Sequence, residues 1–275
     1  MSDLRSLDDY SLRGLQAAER ALFLAWDALE NFREDLVVVG GLAIHYHTRE
    51  RKHPVFPSTA TLDVDFGISL GTDAGMAASV RFALMMAGYK ENEEGRMVAA
   101  TEEGNLYIDF LTEHPPAETG SRNVSEVRAS ICPGINRALA DRKFVEIEGI
   151  DRLGDLRTFR VPICGIGPLL VLKLNAFAKR DNDKKAKDAY DLLVAVSSYP
   201  EGPEATIRAF HEESRSGNPA FPLALETLKK HFLASDRDGP RLASAFRYGT
   251  VDPGREGARL GEDLVTIALE LSDLR

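Results

Sequence analysis

Apolar residues recur along this chain with two periods, and the switches between them mark its elements. In residues 11–31, Leu12, Leu15, Ala18, Leu22, Trp26 and Leu29 fall at helical spacing and predict a long amphipathic helix capped near Ser11. Trp26 lies on that stripe, so it reads as core rather than as a ring offered to a base. Leu36, Val37, Val38 and Val39 form a run long enough for a buried strand, which breaks at Gly40-Gly41 before a helix begins over Leu42–His47. A period of two follows: Leu62, Val64, Phe66 and Ile68 alternate with Asp63 and Asp65. Thr72–Gly88 returns to the helical period, with Met76, Val80, Ala83, Leu84 and Ala87 on one stripe and Gly88 as a C-cap. Residues 95–111 predict a hairpin in which Arg96–Ala100 and Asn105–Leu111 are joined around Glu102-Glu103-Gly104. The stretch 112–125, with Pro115, Pro116 and Gly120, reads as loop, and short strands follow at Phe144–Ile147 and Thr158–Ile163.

Beyond Gly165-Ile166-Gly167-Pro168 the strand period disappears. Pro168 suits the first turn of a helix reaching Arg180, and a second helix covers about Lys184–Val196. From Glu201 on, three or four amphipathic helices are expected, one marked by Leu223, Leu225, Leu228 and Phe232 and another by Leu260, Leu264, Ile267, Ala268 and Leu271. The pattern is that of an α/β (α+β) protein in which a mixed sheet flanked by helices, residues 1–165, precedes a helical bundle, residues 166–275.

Composition narrows the reading without naming a chemistry. At 275 residues, 44% hydrophobic and 28% charged, the chain can bury a substantial core. No run approaches membrane-spanning length and the first residues lack a secretory pattern, so the sequence reads as cytoplasmic, with no membrane partner. Cys132 and Cys164 are too far apart for a zinc ribbon or a disulfide framework. A net charge of −9 argues against general DNA or RNA binding, though it leaves room for a local basic patch.

The candidate chemistry lies in the Asp-bearing strands. Alternation puts Asp63 and Asp65 on the face opposite the apolar row, where two acids of poor strand propensity serve stability badly but suit a divalent metal. In Asn105–Leu111, Leu106, Ile108 and Phe110 alternate, so Asp109 takes the corresponding outward face. Should these strands pair, three carboxylates could hold two metal ions about 3.5–4 Å apart, the arrangement of in-line phosphoryl transfer. Gly40 and Gly41, between a strand and a helix, would let the backbone approach phosphate and offer it the helix N–H groups.

Gly40-Gly41, Asp63-Val64-Asp65 and the lone Asp109 resemble the nucleotidyltransferase fold of the polymerase-β type. The wording Thr61-x-Asp63-x-Asp65-Phe66, with Lys173, Arg180, Lys187-Asp188 and Asp191 downstream, is most similar to the AbiEii-like toxin nucleotidyltransferases. The likeness spans roughly residues 36–196. It departs at Gly41, where the usual motif has serine, and in the long gap from Gly41 to Asp63 with Pro54 and Pro57.

The resemblance implies a nucleotidyltransferase-type mixed sheet and transfer of an NMP from an NTP to a hydroxyl with release of pyrophosphate. It implies Mg²⁺ or Mn²⁺ on Asp63, Asp65 and Asp109, with Asp109 also orienting or deprotonating the acceptor. Gly40, Gly41, Thr61 and Lys173 would bind the nucleotide. The acceptor would be RNA, such as a tRNA 3′ end, or a protein side chain, with a cognate antitoxin as a further partner.

Two clusters carry alternative readings. The segment from His45 through His47, Arg49, Arg51 and Lys52 to His53 is either a solvated basic face or a triphosphate or RNA contact through Arg49 and Arg51. As a zinc site it lacks a third and a fourth ligand. Lys173 and Arg180 share a helix face, as do Lys187, Asp188 and Asp191. These form either a surface ion-pair network or a second shell that positions the phosphate-binding lysine. Rival functions are nucleotide transfer to a small, antibiotic-type hydroxyl compound, and a non-catalytic member that binds nucleotide or a partner.

Overall fold

A computed structural model of the chain describes residues 6–10, 12–51, 56–57, 59, 61, 63–69, 79–101, 104–151, 153–250 and 252–274. The expected cap at Ser11, Leu62, residues 72–78 of the expected helix with Met76, the Glu102-Glu103 turn, and Lys52, His53 and Pro54 lie outside the described residues. The chain divides into two compact units, one of Ser11–Ala43 with Ala60–Gly165, the other of Met1–Tyr10, Ile44–Thr59 and Ile166–Arg275.

The first unit opens with α1 (Leu12–Ala28), a 3₁₀ segment (Glu30–Asp35) and β1 (Leu36–Val39). The helix α2 (Gly40–Thr48) follows directly and runs across the boundary between the units. Then come β2 (Asp63–Ile68), α3 (Val80–Met86), β3 (Lys90–Glu91), β4 (Met97–Thr101), β5 (Gly104–Thr112), β6 (Ser121–Val124) and β7 (Val127–Ile131). The unit closes with α4 (Ile135–Ala140), β8 (Arg142–Ile150) and β9 (Leu156–Cys164).

Among the described residues nine strands form one mixed sheet in the order β3-β4-β5-β2-β1-β9-β8, with β7 also paired to β5 and β6 to β7. β2–β5, β1–β9 and β5–β7 are parallel, and the other pairs are antiparallel. Its two ends are protected differently: β3 has only two residues, both exposed, and β8 carries Arg142, Lys143, Glu146 and Glu148 along an edge that charge defends against further pairing.

One sheet face is the core. The stripe of α1 packs there, with Trp26 only 2% exposed and its ring stacked on Phe66 of β2, which in turn stacks on Phe110 of β5. Phe23 of α1 stacks on Phe159 of β9 above Gly149, where any Cβ would overlap the Phe23 ring. Tyr89 fixes the far side of α1 by donating to the Ala21 carbonyl at 2.8 Å. On the opposite face α4 packs against β2. A Cβ at Gly67 would come within 2.9 Å of the Val37 side chain on β1 and 3.3 Å of Ile135 on α4, so the glycine makes room for both.

Two expectations are corrected here. The stretch 112–125 is not all loop, because Ser121–Val124 pairs with Val127–Ile131 across Ser125 and Glu126, both at positive φ as a tight hairpin turn requires. Three of the four β6 side chains are exposed, so this strand has no apolar row to betray it. The C-terminal stripe at Leu223 and Leu225 is also rotated: Phe221, Ala224, Leu228 and Phe232 are buried, and the two leucines only half so.

The second unit holds α5 (Ile166–Lys179), α6 (Asn182–Ser197), α7 (Pro203–Arg215), α8 (Phe221–His231), α9 (Asp238–Tyr248) and α10 (Gly254–Ser272). Aromatic pairs knit it together: Phe177 with Phe232 at 4.8 Å, Phe210 with Phe221 at 5.0 Å and Tyr190 with Phe246 at 5.4 Å between ring centroids. Gly167 allows α5 to touch the backbone of α7 at Ala209. Among the described residues no helix is long and apolar enough to cross a membrane.

Trp26 tests the packing of the sheet unit. Trp26→Ala should cost about 3–5 kcal/mol, the usual loss for a buried aromatic, read as a fall in the urea midpoint followed by far-ultraviolet circular dichroism.

Candidate active site

β2 delivers the acids. Val64, Phe66 and Ile68 go into the core, which leaves Asp63 and Asp65 on the other face. β5 runs parallel beside it in a register that pairs Asp65 with Asp109 and Asp63 with Tyr107. On the other flank β1 ends with Val39 opposite Asp65, and the chain turns at once into α2. Gly40 makes that turn at φ +68, and a Cβ there would overlap the Asp65 carboxylate. Glycine is therefore needed both for the backbone angle and for the space. Asp65 thus lies against the first turn of α2, where unpaired N–H groups and the helix dipole favour negative charge.

The cation at the centre of this cluster is Arg96, which sequence reasoning did not single out. Its Nε donates to Asp109 Oδ1 at 2.6 Å and its Nη2 to Asp109 Oδ2 at 2.5 Å, a two-point fork. The same Nη2 is 3.6 Å from Asp63 Oδ2. The guanidinium lies over the Tyr107 ring at 4.1 Å. Partial burial works against the charged form of Arg96, but the Asp109 fork and the charges of Asp63 and Asp65 outweigh it and raise its pKa. The side chains of Arg96, Asp63 and Asp109 are 29, 40 and 32% exposed, so the cluster is open to solvent along one side. A signal for Arg96 existed in the sequence. Folding the hairpin so that Thr101 meets Gly104 and Met97 meets Ile108 brings residue 96 level with Asp109.

A second polar cluster belongs to the helical unit and is buried. Lys173 of α5 donates to Asp188 Oδ1 at 3.0 Å and to Asp191 Oδ2 at 2.6 Å. Lys187 donates to the same Asp191 oxygen at 2.8 Å, and Arg180 to Asp188 at 2.9 Å. Thr59 donates its hydroxyl to Asp191 Oδ1, and Tyr190 its hydroxyl to the Pro57 carbonyl at 3.1 Å. This is no surface network, since the side chains of Asp188 and Asp191 are at most 1% exposed. Burial favours the neutral forms, yet Asp191 and Asp188 hold Lys173 protonated with a raised pKa. Burial likewise pushes Asp191 up, and the two lysines overcome it, holding it well below the usual carboxylate range. Burial dominates at Lys187, whose pKa is lowered against the pull of Asp191.

The basic segment has structural partners. Arg51 donates to the Ser197 carbonyl at the C-terminal end of α6, where a cation complements the helix dipole. Arg49 is exposed, its guanidinium 5.0 Å from the centre of the Tyr46 ring. His47 is buried beside Tyr199. Thr61 is buried too and donates its hydroxyl to the Asp63 carbonyl at 3.2 Å, bracing the entry to β2. Gly41 follows Gly40 inside α2 and is buried.

The structure therefore gathers Asp63, Asp65, Asp109, Arg96 and the Gly40 turn within the sheet unit, and Lys173, Arg180, Lys187, Asp188, Asp191 and Thr59 within the helical unit. As the side chains stand, no group of three or more His, Cys, Asp or Glu among the described residues is disposed to hold a metal ion. Both oxygens of Asp109 are engaged by Arg96. Neither the known protein families nor the curated proteins contain a match to this chain.

Two measurements probe these clusters. Asp191→Ala would leave the buried Lys173 with only Asp188, which Arg180 also uses, and would take the carboxylate from Lys187; it should cost about 3–5 kcal/mol in denaturant unfolding. His45 offers a pH test, because burial first and the Arg49 charge second lower its pKa to about 4. The unfolded imidazole takes its proton near 6.5 and the folded one only near 4, so stability is full above the first value and falls between the two. A His45→Gln variant should gain on the wild type by roughly 2 kcal/mol as pH drops from 6.5 to 4.5, seen in paired urea titrations.

Proposed function

We propose that this chain is a metal-dependent nucleotidyltransferase that moves a nucleoside monophosphate from an NTP to an acceptor hydroxyl. The observation that carries the reading is the register of β2 with β5, which sets Asp65 beside Asp109 while one guanidinium reaches both Asp109 and Asp63. Three carboxylates from two strands thus converge on a single positive charge.

That donor set fits Mg²⁺ or Mn²⁺. The ligands are hard oxygens, partly open to solvent, and the Arg96 guanidinium marks a position that favours a cation. Asp63 and Asp65 would hold the ion with substrate phosphates, the ordinary set for Mg²⁺, and Asp109 would join them on leaving Arg96. When bound, the metal supplies Lewis-acid polarisation of the α-phosphate and neutralises charge on the departing pyrophosphate. The first turn of α2 at Gly40 and Gly41 presents N–H groups beside Asp65, a suitable cradle for phosphate oxygens. Asp109 orients the acceptor hydroxyl and takes its proton. The hydroxyl oxygen then bonds to the α-phosphorus as the α–β phosphoanhydride bond breaks and pyrophosphate leaves.

Lys173 takes no phosphate in this reading. Its ammonium is bound to two buried carboxylates, and Lys173, Arg180, Lys187, Asp188 and Asp191 hold α5, α6 and the Thr59 segment together. The acidic net charge favours an acceptor met through a local site over non-specific nucleic-acid binding. The acceptor is an RNA end, a protein hydroxyl or a small hydroxyl compound. Toxicity restrained by an antitoxin follows only if the resemblance to the AbiEii-like proteins extends to biology.

One observation favours a second reading, a non-catalytic nucleotide- or partner-binding protein: Arg96 already satisfies both oxygens of Asp109. The two readings separate in a label-transfer experiment with Mn²⁺ or Mg²⁺, each α-labelled NTP in turn, and total RNA, protein or small hydroxyl compounds as acceptors. The transferase should label one acceptor class, and Asp63→Ala/Asp65→Ala should lose at least about a hundredfold of that activity while keeping its circular dichroism spectrum. Nucleotide binding without transfer to any acceptor would replace the enzyme reading with the binding one.

A further inference from the structure

Arg96 is held more firmly than a surface arginine needs to be. Asn92 Oδ1 accepts from the Glu94 N–H at 3.1 Å and from the Arg96 N–H at 2.9 Å, and the Asn92 N–H returns to the Arg96 carbonyl at 2.9 Å. Gly95, at φ +79, closes this turn between β3 and β4. The Arg96 side chain leaves the turn over the face of Tyr107 and ends in the fork on Asp109, with Asp63 on its outer side. Backbone, ring and carboxylate all direct one guanidinium into the acid cluster.

Two consequences of opposite sign follow from charge alone. With the guanidinium in place, the repulsion between Asp65 and its register partner Asp109 is relieved, so the cluster is stable without a metal. Yet a divalent ion seeking Asp109 competes for oxygens that the fork already uses.

Resting on the transferase reading above, we infer that Arg96 is an internal counter-cation that gates divalent metal, which gains Asp109 as a ligand only when the Arg96 fork lets go. A residue that merely scaffolds the acids behaves differently: its loss would lower both stability and metal affinity. Loss of the gate lowers the stability of the metal-free protein and raises metal affinity.

The test is titration of the full nucleotide-free chain with Mn²⁺, read by the loss of the free-ion electron paramagnetic resonance signal. Arg96→Gln should bind Mn²⁺ about tenfold or more tightly than wild type, and a Mn²⁺-dependent rise in melting temperature should be larger in the variant. The gain should vanish in Arg96→Gln/Asp109→Asn, because the oxygens it exposes are then gone. Arg96→Lys keeps the charge without the fork, should fall between the two, and serves if Arg96→Gln does not fold. Equal or weaker Mn²⁺ binding in the single variants, with a wild type that binds, would overturn the gate and leave the transferase reading standing. Absence of Mn²⁺ binding in wild type and single variants alike would overturn both.

Discussion

Two carboxylates fixed side by side on neighbouring strands repel each other unless a cation lies among them. In this protein the parallel register of β2 and β5 imposes that condition on Asp65 and Asp109, and much of the surrounding structure answers to it. The β3–β4 turn sends Arg96 into the cluster. Gly40 gives up its side chain so that the start of α2 can lie against Asp65. Gly67, two residues on, makes room for Val37 and for Ile135 of α4.

The contrast with the polar cluster on α5 and α6 is instructive. There the acids are buried and matched by two lysines, an arginine and a threonine, and pairing overcomes burial to hold Lys173 and Asp191 in their charged forms. Exchanging partners in so dry a site would leave a charge uncompensated, which is costly. The acids on β2 and β5 keep about a third of their side-chain surface in water, so a change of cation there meets a smaller penalty. Burial, rather than the identity of the residues, separates the two clusters.

Legibility in the sequence followed the strength of the local pattern. The alternation through Val64, Phe66 and Ile68 and through Leu106, Ile108 and Phe110 placed all three acids on outward faces, as the strands have them. The stripe of α1 announced Trp26 as core. The β6–β7 hairpin was hidden, because Ser121, Arg122 and Asn123 are exposed and an outer strand without an apolar row resembles loop. On the α8 stripe Leu228 and Phe232 are buried as expected, whereas Leu223 and Leu225 are only half covered and Phe221, Ala224 and Thr227 complete the buried face.

The sequence by itself determined which residues could share a face, because side-chain direction in a strand or helix depends only on spacing along the chain. It therefore settled the mixed α/β character, the switch to helices near residue 165, and the outward direction of Asp63, Asp65 and Asp109. Only the tertiary structure decided which strand lies beside which, that Arg96 sits among the acids of β2 and β5, and that the acids of the Lys173 network are buried. Those outcomes depend on register and burial, which arise from contacts between segments far apart in sequence and leave no period within any one of them.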